Sequence, residues 1–273
     1  MNAPHEAARM NPNLKNPNGL NIVFVGDVHK DWAVVERGIA ALPNPPEAVV
    51  LLGDLQCEES LDSHAAPLLD RGIAVHWIFG NHDNDGGPDM WANMADPARN
   101  PRTAPGALHA RVQNIGGLRI AGLGGTFRHR IWGPPGEPRL RARAELPDDL
   151  LSLGPQWQQE QLNALHHSLS TSAIWHEDVA ALAAQQADIL VTHEAPHSHP
   201  DGAAPLEELA RAMGVKLIIH GHHHVNYRAI AEDGLRAMGV GAAWGVALDG
   251  TPLWEGDKLR LLGQPKSGWR VEI

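Results

Sequence analysis

Residues 21–29 read NIVFVGDVH, an apolar run that passes directly into two side chains capable of binding a metal. The run of Ile, Val and Phe predicts a buried β-strand, and Gly26 marks a position where the backbone turns easily. Side chains two residues apart in extended backbone point to the same side. If the extended geometry persists beyond the strand, Asp27 and His29 face a common point at its end.

The same pattern recurs four more times along the chain. Gly53-Asp54 follows AVVLL, the run GNHD at 80–83 follows AVHWIF, His193 follows ILVT, and HGHHH at 220–224 follows KLII. Each piece alone is typical of an ordinary turn or a loop histidine. In parallel α/β sheets, however, the loops beyond the carboxyl ends of the strands share one edge. Five such clusters in one chain therefore predict a single polar site at that edge.

The order of strand and helix patterns predicts an α/β layered fold. Strand patterns occupy 21–25, 48–52, 74–79, 118–123, 189–192 and 216–220, and helical patterns occupy 32–42, 60–71, 175–186 and 205–213. Runs at 227–230 and 235–240, followed by turn signals within 241–273, predict antiparallel strands that resemble a second sheet. Residues 126–160 are rich in Pro and Arg and poorly periodic, which is typical of a long loop or lid over a site.

Length and composition limit the number of domains, the partners and the cellular location that can be expected. We expect a flexible tail at 1–19 and a single domain at 20–273, because 273 residues suffice for one large core. A net charge of −10 argues against nucleic acid or an anionic membrane as partner. No apolar run approaches the roughly 20 residues that cross a bilayer. The single cysteine excludes an intrachain disulfide, and the first 20 residues lack the apolar core of a secretory signal, so a cytoplasmic location is expected.

The donor atoms in the five clusters are carboxylate oxygens, imidazole nitrogens and an amide oxygen, without a thiolate. This donor set fits divalent manganese, iron or zinc, and it differs from that of a zinc site built from thiolates. Two ions roughly 3.5 to 4 Å apart need a bridging ligand, and a carboxylate serves well. Asp54 is the candidate bridge. Arg128, His129 and His197 are candidate contacts to an anionic substrate, with solvated loop side chains as the alternative interpretation.

Taken together, the motifs GDVH, GD, GNHD, THEAP and GHHH resemble the signature of the calcineurin-like metallophosphoesterase superfamily over residues 20–245. The resemblance implies two mixed β-sheets packed as a sandwich and flanked by helices. It also implies two divalent or mixed-valence metal ions. The first would be bound by Asp27, His29, Asp54 and His224. The second would be bound by Asp54, Asn81, His193 and His222. His82 would be the catalytic histidine that contacts the substrate phosphate and assists the leaving group.

The implied reaction is hydrolysis of a small phosphomonoester or phosphodiester by a hydroxide that bridges the two metals. Serine/threonine protein phosphatases of the superfamily carry GDxVDRG, whereas this chain reads GDLQCEES with Cys57 at the position of the second Asp. That departure makes a protein phosphatase the weaker alternative and leaves His82 in need of another partner, for which Asp83 and Asp85 are candidates. A non-catalytic metal-binding scaffold is an alternative of another class. His223, between two ligands, is expected by alternation to point away from the metals.

Overall fold

The computed structural model describes residues 21–256 and 262–272, so the predicted tail at 1–19 lies outside the described residues. Within those ranges the chain forms twelve β-strands. Their bounds are β1 Ile22–Val25, β2 Ala48–Leu51, β3 Ala74–Trp77, β4 Arg111–Ile115, β5 Leu118–Leu123, β6 Ile189–Thr192, β7 Leu217–His220, β8 Tyr227–Ala231, β9 Arg236–Gly239, β10 Gly245–Ala247, β11 Pro252–Trp254 and β12 Trp269–Glu272.

Eight α-helices lie between or beside these strands in the described ranges. Their bounds are α1 Trp32–Ala41, α2 Leu61–His64, α3 Ala66–Leu69, α4 Pro88–Ala95, α5 Leu146–Leu151, α6 Gln159–Ser172, α7 His176–Ala183 and α8 Ala204–Ala212. Short 3₁₀ turns occupy Ala104–Gly106 and Arg143–Glu145. None of the helices in the described part of the chain has both the length and the hydropathy to span a bilayer.

The strands form two mixed sheets, as the resemblance implies. One sheet has five strands in the order β11-β10-β1-β2-β3, and the other has seven in the order β12-β8-β9-β7-β6-β5-β4. β1, β2 and β3 run parallel, and so do β5, β6, β7 and β9. The carboxyl ends of these parallel strands carry all five polar clusters.

Alternation along the strands builds four layers. In β1, Phe24 packs between the two sheets with Ile120 of β5 and Ile219 of β7. Val23 and Val25 point the other way, into a core shared with the helices on the outer face of the five-stranded sheet. A third core covers the outer face of the seven-stranded sheet with α5 to α8. Because both faces of each central strand are covered, the sequences of these strands are continuous apolar runs.

Several boundaries differ from the sequence predictions for identifiable reasons. The helix predicted at 60–71 divides at Ala65, because Pro67 lacks the N–H that a continuous helix needs and its ring obstructs the preceding turn. The C-terminal strands do not form a separate second sheet: β8, β9 and β12 extend the seven-stranded sheet, while β10 and β11 complete the other. Residues 257–261 and 273 of that predicted region lie outside the described residues.

The insertion at 126–160 is more structured than a plain loop. It contains α5, and Ile131, Leu140 and Leu146 are buried in the core that covers the seven-stranded sheet. It is also tied down by charge, because Arg143 forms two hydrogen bonds to Asp178 of α7, at 2.9 and 2.6 Å. The body of the insertion is therefore anchored, and its function as a lid stays a prediction.

Candidate metal centre

Five loops at one edge of the two sheets converge on a common point. Asp27 follows β1, Asp54 follows β2, Asn81 follows β3, and His193 follows β6 directly. His222 and His224 lie in the loop that follows β7. Asp27 and His193 have no exposed surface, and Asp54 is only 1% exposed. Charged groups that are this deeply buried need partners of opposite charge or a bound cation.

The ligand loops do not continue the extended geometry of the strands. In the described residues, eight non-glycine positions have positive φ, and six of them lie in these loops. They are His29, Lys30, Asp54, Gln56, His222 and His224. The predicted convergence of Asp27 and His29 is therefore found, but their loop does not reach it through extended backbone. Backbone conformations that cost free energy cluster here, which is typical of a site that fixes its ligands.

The first donor set consists of Asp27, His29 and His224, whose candidate ligand atoms lie within 4.8 Å of one another. The Nε2 atoms of the two histidines are 3.0 Å apart. Nδ1 of His29 lies 3.0 Å from Oε1 of Gln56, an amide oxygen that can only accept, so Nδ1 carries the proton. Nε2 of the neutral His29 ring therefore presents a lone pair to the centre of the set.

The second donor set consists of Asp54, His193 and His222, also within 4.8 Å of one another. Nδ1 of His193 donates to the carbonyl of Leu52 at 2.8 Å, which leaves Nε2 free of a proton in the neutral ring. That Nε2 lies 3.3 Å from Oδ2 of Asp54 and 3.2 Å from Oδ1 of Asn81. Asn81 thus joins this set.

Asp54 lies between the two sets. Its Oδ2 is 3.3 Å from Nε2 of His193 and 3.7 Å from Nε2 of His29 in the other set. Its Oδ1 accepts the backbone N–H of His82 at 2.7 Å, which fixes the carboxylate plane. Asp27 is fixed in the same manner, because both of its oxygens accept the N–H of His222 at 2.9 Å. Asp54 is therefore the carboxylate placed to serve both sets.

The electrostatics of the site favour positive charge at its centre. Burial lowers the pKa of His193, but the carboxylates of Asp54 and Asp27 raise it by more, so the net shift is upward. Burial raises the pKa of Asp54, but the charge and hydrogen bond of His193 outweigh it and the net shift is downward. Burial and the charge of His193 lower the pKa of His222 to about 3, so that ring is a neutral ligand. The pocket that raises the proton affinity of His193 attracts a metal cation for the same reason.

Glycines beside the ligands permit this close approach. A Cβ on Gly80 would collide with Oδ1 of Asp54 and Cε1 of His193. A Cβ on Gly53, whose φ is +96°, would lie 2.7 Å from Nδ1 of His193. The nitrogen and oxygen lone pairs of the two donor sets therefore face each other across a small space, an arrangement that fits two bound cations. Oxygen and nitrogen donors of this kind suit borderline divalent metals.

The comparisons agree with this geometry. The model of the family described as "Calcineurin-like phosphoesterase" matches residues 20–226. The chain belongs to the calcineurin-like phosphoesterase family. It is a metal-dependent phosphoesterase, and the family implies two divalent metal ions. An uncharacterized protein of Haemophilus influenzae is 37% identical over 214 residues, which cover 76% of this chain and 84% of that protein.

Two solved structures share the fold of this phosphoesterase. A dimetal phosphatase from Danio rerio aligns with a TM-score of 0.52 and 13% identity, covering 84% of this chain and 92% of that one. The protein TT1561 of Thermus thermophilus aligns with a TM-score of 0.53 and 15% identity, covering 84% and 95%. At such identities the likeness concerns the fold of two mixed sheets with flanking helices.

His82 lies at the rim of the metal centre of this phosphoesterase. Its side chain is 46% exposed, and its ring centroid is 5.6 Å from that of His29. Of the two candidate partners, Asp85 is the one in contact, with its Oδ2 at 2.7 Å from Nδ1 of His82. Asp83 is buried and instead accepts three backbone N–H groups, from Asp54, Gly80 and Gln56. Cys57 is buried in the helix-covered core.

The three residues predicted to contact the substrate lie in two different places. His129 and His197 line one cavity, beside the loop that carries His193. The guanidinium of Arg128 instead lies 3.4 Å from Oγ of Ser172 at the end of α6, and this residue is not part of that cavity wall. A smaller cavity of about 300 Å³ adjoins Asp27 and His29 of the first donor set. A role in substrate binding stays a prediction for all three residues.

The sequence analysis did not predict three groups that contribute to the site. Gln56 fixes the tautomer of His29, the backbone carbonyl of Leu52 fixes that of His193, and Glu194 lies within reach of His222 and His223. Glu194 and Gln56 stand one or two residues from predicted ligands, which is the only signal that the sequence offers. His223 does turn from the first donor set, since its ring stacks on that of His199 at 3.7 Å.

Proposed function

We propose that this protein hydrolyses small phosphate esters, monoesters or diesters, at a centre for two metal ions that would share Asp54 as a ligand. The observation that carries the proposal is the position of Asp54 between two donor sets that are each completed by histidines. Asp27, His29, Asp54 and His224 would hold one ion. Asp54, Asn81, His193 and His222 would hold the other. Manganese, iron and zinc are the metals that these donors favour.

The bound metals would supply the nucleophile, by lowering the pKa of water, and would neutralise charge on the phosphate. The protein residues would supply position and proton transfer. His82, half exposed at the rim, would contact a phosphate oxygen and would donate a proton to the leaving oxygen through Nε2, since Nδ1 is engaged by Asp85. The buried carboxylates of Asp27 and Asp54 keep the ligand histidines oriented.

A substrate panel tests this function. Purified protein supplied with manganese is expected to hydrolyse p-nitrophenyl phosphate or bis-p-nitrophenyl phosphate, with a phosphopeptide included to test the protein-phosphatase alternative. The proposal would be rejected if folded protein that holds two equivalents of metal hydrolysed none of these phosphate esters. The sequence favours small esters over phosphoproteins, because GDLQCEES lacks the protein-phosphatase motif. A cytoplasmic location stays a prediction.

His82→Ala is expected to lower kcat for p-nitrophenyl phosphate by about 100-fold, since general acid catalysis and phosphate contact contribute on that scale. The protein is expected to keep its full metal content, because the His82 ring is not part of either donor set. Steady-state kinetics with metal analysis on the same preparation measures both. An emptied metal centre in this variant would show that His82 is a ligand.

Asp85→Asn is expected to lower kcat by a smaller factor, roughly 3- to 10-fold, because the Asp85 side chain is 50% exposed and water partly replaces it. The loss should be larger for alkyl phosphates, whose poor leaving groups need a proton, than for p-nitrophenyl phosphate. The comparison of the two substrate types is the measurement. Equal loss for both would show that Asp85 does not act through His82.

A further inference from the structure

A cavity of about 480 Å³ lies between the insertion and the loop that follows β6. The insertion contributes one wall, with Phe127, His129, Pro134 and Pro135. The loop contributes the opposite wall, with Glu194, His197 and Asp201, and Lys266 adds a cation from the C-terminal segment. This volume is within the range of about 300 to 1,000 Å³ that is usual for small-molecule sites.

The inner end of the cavity adjoins the metal centre. Glu194 follows His193 directly in the chain, and a carboxylate oxygen of Glu194 lies within 4.8 Å of a ring nitrogen of His222. His193 and His222 both belong to the second donor set. A phosphate held at that set therefore lies beside the part of the cavity wall that Glu194 forms.

The wall formed by the insertion is mainly apolar, with Phe127, Pro134 and Pro135 beside His129. The Phe127 ring packs edge-on against Trp132, with ring centroids 5.2 Å apart at 84°, and Trp132 is itself buried in the core. Pro134 and Pro135 continue this surface with restricted backbone. Offset stacking or edge contact with an aromatic ring is the interaction that such a wall favours.

The opposite wall is acidic. Among the described residues of the cavity, Glu194 and Asp201 supply two carboxylates and Lys266 supplies one ammonium, which already donates to the carbonyl of Gly202 at 2.6 Å. His197 is engaged by Glu207, with Nδ1 at 3.5 Å from Oε1. Carboxylates at this wall accept hydrogen bonds and attract cations, and they repel a second anionic group on the substrate.

We propose that this cavity binds the organic substituent of the phosphate ester, and that it selects a planar aromatic group bearing hydrogen-bond donors or positive charge over one bearing a further negative charge. The inference rests on the proposed function, because it assumes that the phosphate is held at the metal centre. Phe127 and Asp201 are then specificity residues that lie outside the two donor sets.

A matched pair of substrates tests the charge preference. The phosphate monoesters of tyramine and of 3-(4-hydroxyphenyl)propionate have similar phenolic leaving groups, so the chemical step is alike and only the distal charge differs. At pH 8, where unperturbed histidines are neutral, we expect kcat/KM to be roughly tenfold higher for the tyramine ester, as expected for one charge interaction near a protein surface. Asp201→Asn is expected to reduce that ratio.

Truncation of the apolar wall tests the contact with the ring. Phe127→Ala is expected to raise KM for both esters by about tenfold, the loss of one aromatic contact, while the inhibition constant of inorganic phosphate stays unchanged. Leu151→Ala is the matched control, because Leu151 lies in the same insertion with 70% of its surface exposed and outside the cavity wall. This control should alter neither constant.

Two results would overturn the inference. Equal kcat/KM for the two esters, or a preference for the propionate ester, together with an unchanged KM in Phe127→Ala, would remove the selective cavity while leaving phosphate-ester hydrolysis in place. Absence of hydrolysis of these esters and of p-nitrophenyl phosphate by the metal-loaded protein would instead reject the proposed function, and the inference with it.

Discussion

Asp54→Asn is expected to abolish nearly all hydrolysis. Asn keeps the shape of the side chain but removes the negative charge that lies 3.3 Å from His193 and 3.7 Å from His29, one histidine in each donor set. We expect kcat/KM for p-nitrophenyl phosphate to fall by roughly 1,000-fold or more, the scale seen when preorganised electrostatic stabilisation is lost. Metal content should fall as well, which inductively coupled plasma analysis of the dialysed protein measures.

Asp89→Asn is the matched control, because the Asp89 side chain is 93% exposed and belongs to neither donor set. Its activity and metal content should equal those of the unchanged protein. Retention of more than a tenth of the activity in Asp54→Asn with both metals bound would contradict the assignment of Asp54 as the bridge.

Gly80→Ala is expected to disrupt the site without removing any ligand. The new Cβ would overlap Oδ1 of Asp54 and Cε1 of His193, so both side chains must shift. Misplacement of reacting groups by about 1 Å can cost about 100-fold in rate, and we expect a loss of at least that size in kcat/KM. Steady-state kinetics at saturating manganese measures the loss.

Gly72→Ala provides the comparison, since a Cβ there meets nothing within 4 Å although φ is +76°. That substitution introduces only backbone strain, about 1 to 2 kcal/mol, and the folded enzyme should retain its activity. If Gly80→Ala behaved in the same way as Gly72→Ala, close packing around Asp54 would not be needed for function.

The parallel strands could be predicted from the sequence because a strand that is buried on both faces is apolar at every position. Runs such as IVFV and AVVLL are apolar at every position, and each is followed by a glycine and then by an aspartate that is a predicted metal ligand. The rule that parallel strands share a carboxyl edge then brings Asp27, Asp54 and His193 together. The two-sheet arrangement came from the resemblance, which covers the same motifs.

The conformations of the ligand loops could not be predicted in this way. Positive φ at His29 and His222 departs from the extended backbone that strand alternation assumes, although Asp27 and His29 do converge on one point. Contacts between distant residues were also beyond reach. Gln56 orients His29 from another loop. The pairing of His82 with Asp85 rather than Asp83 is local, but it depends on the irregular conformation of the loop that carries all three residues. Helix α6 was missed because its exposed face is polar and only Leu162, Leu165 and Leu169 mark its buried face.

Anomalous diffraction from crystals of the manganese-loaded protein tests the two-metal centre most directly. We predict two adjacent anomalous peaks per chain. One should lie among Asp27, His29 and His224, the other among Asn81, His193 and His222, with Asp54 contacting both. A single peak, or two peaks that do not share Asp54, would contradict the dinuclear centre on which the proposed chemistry depends.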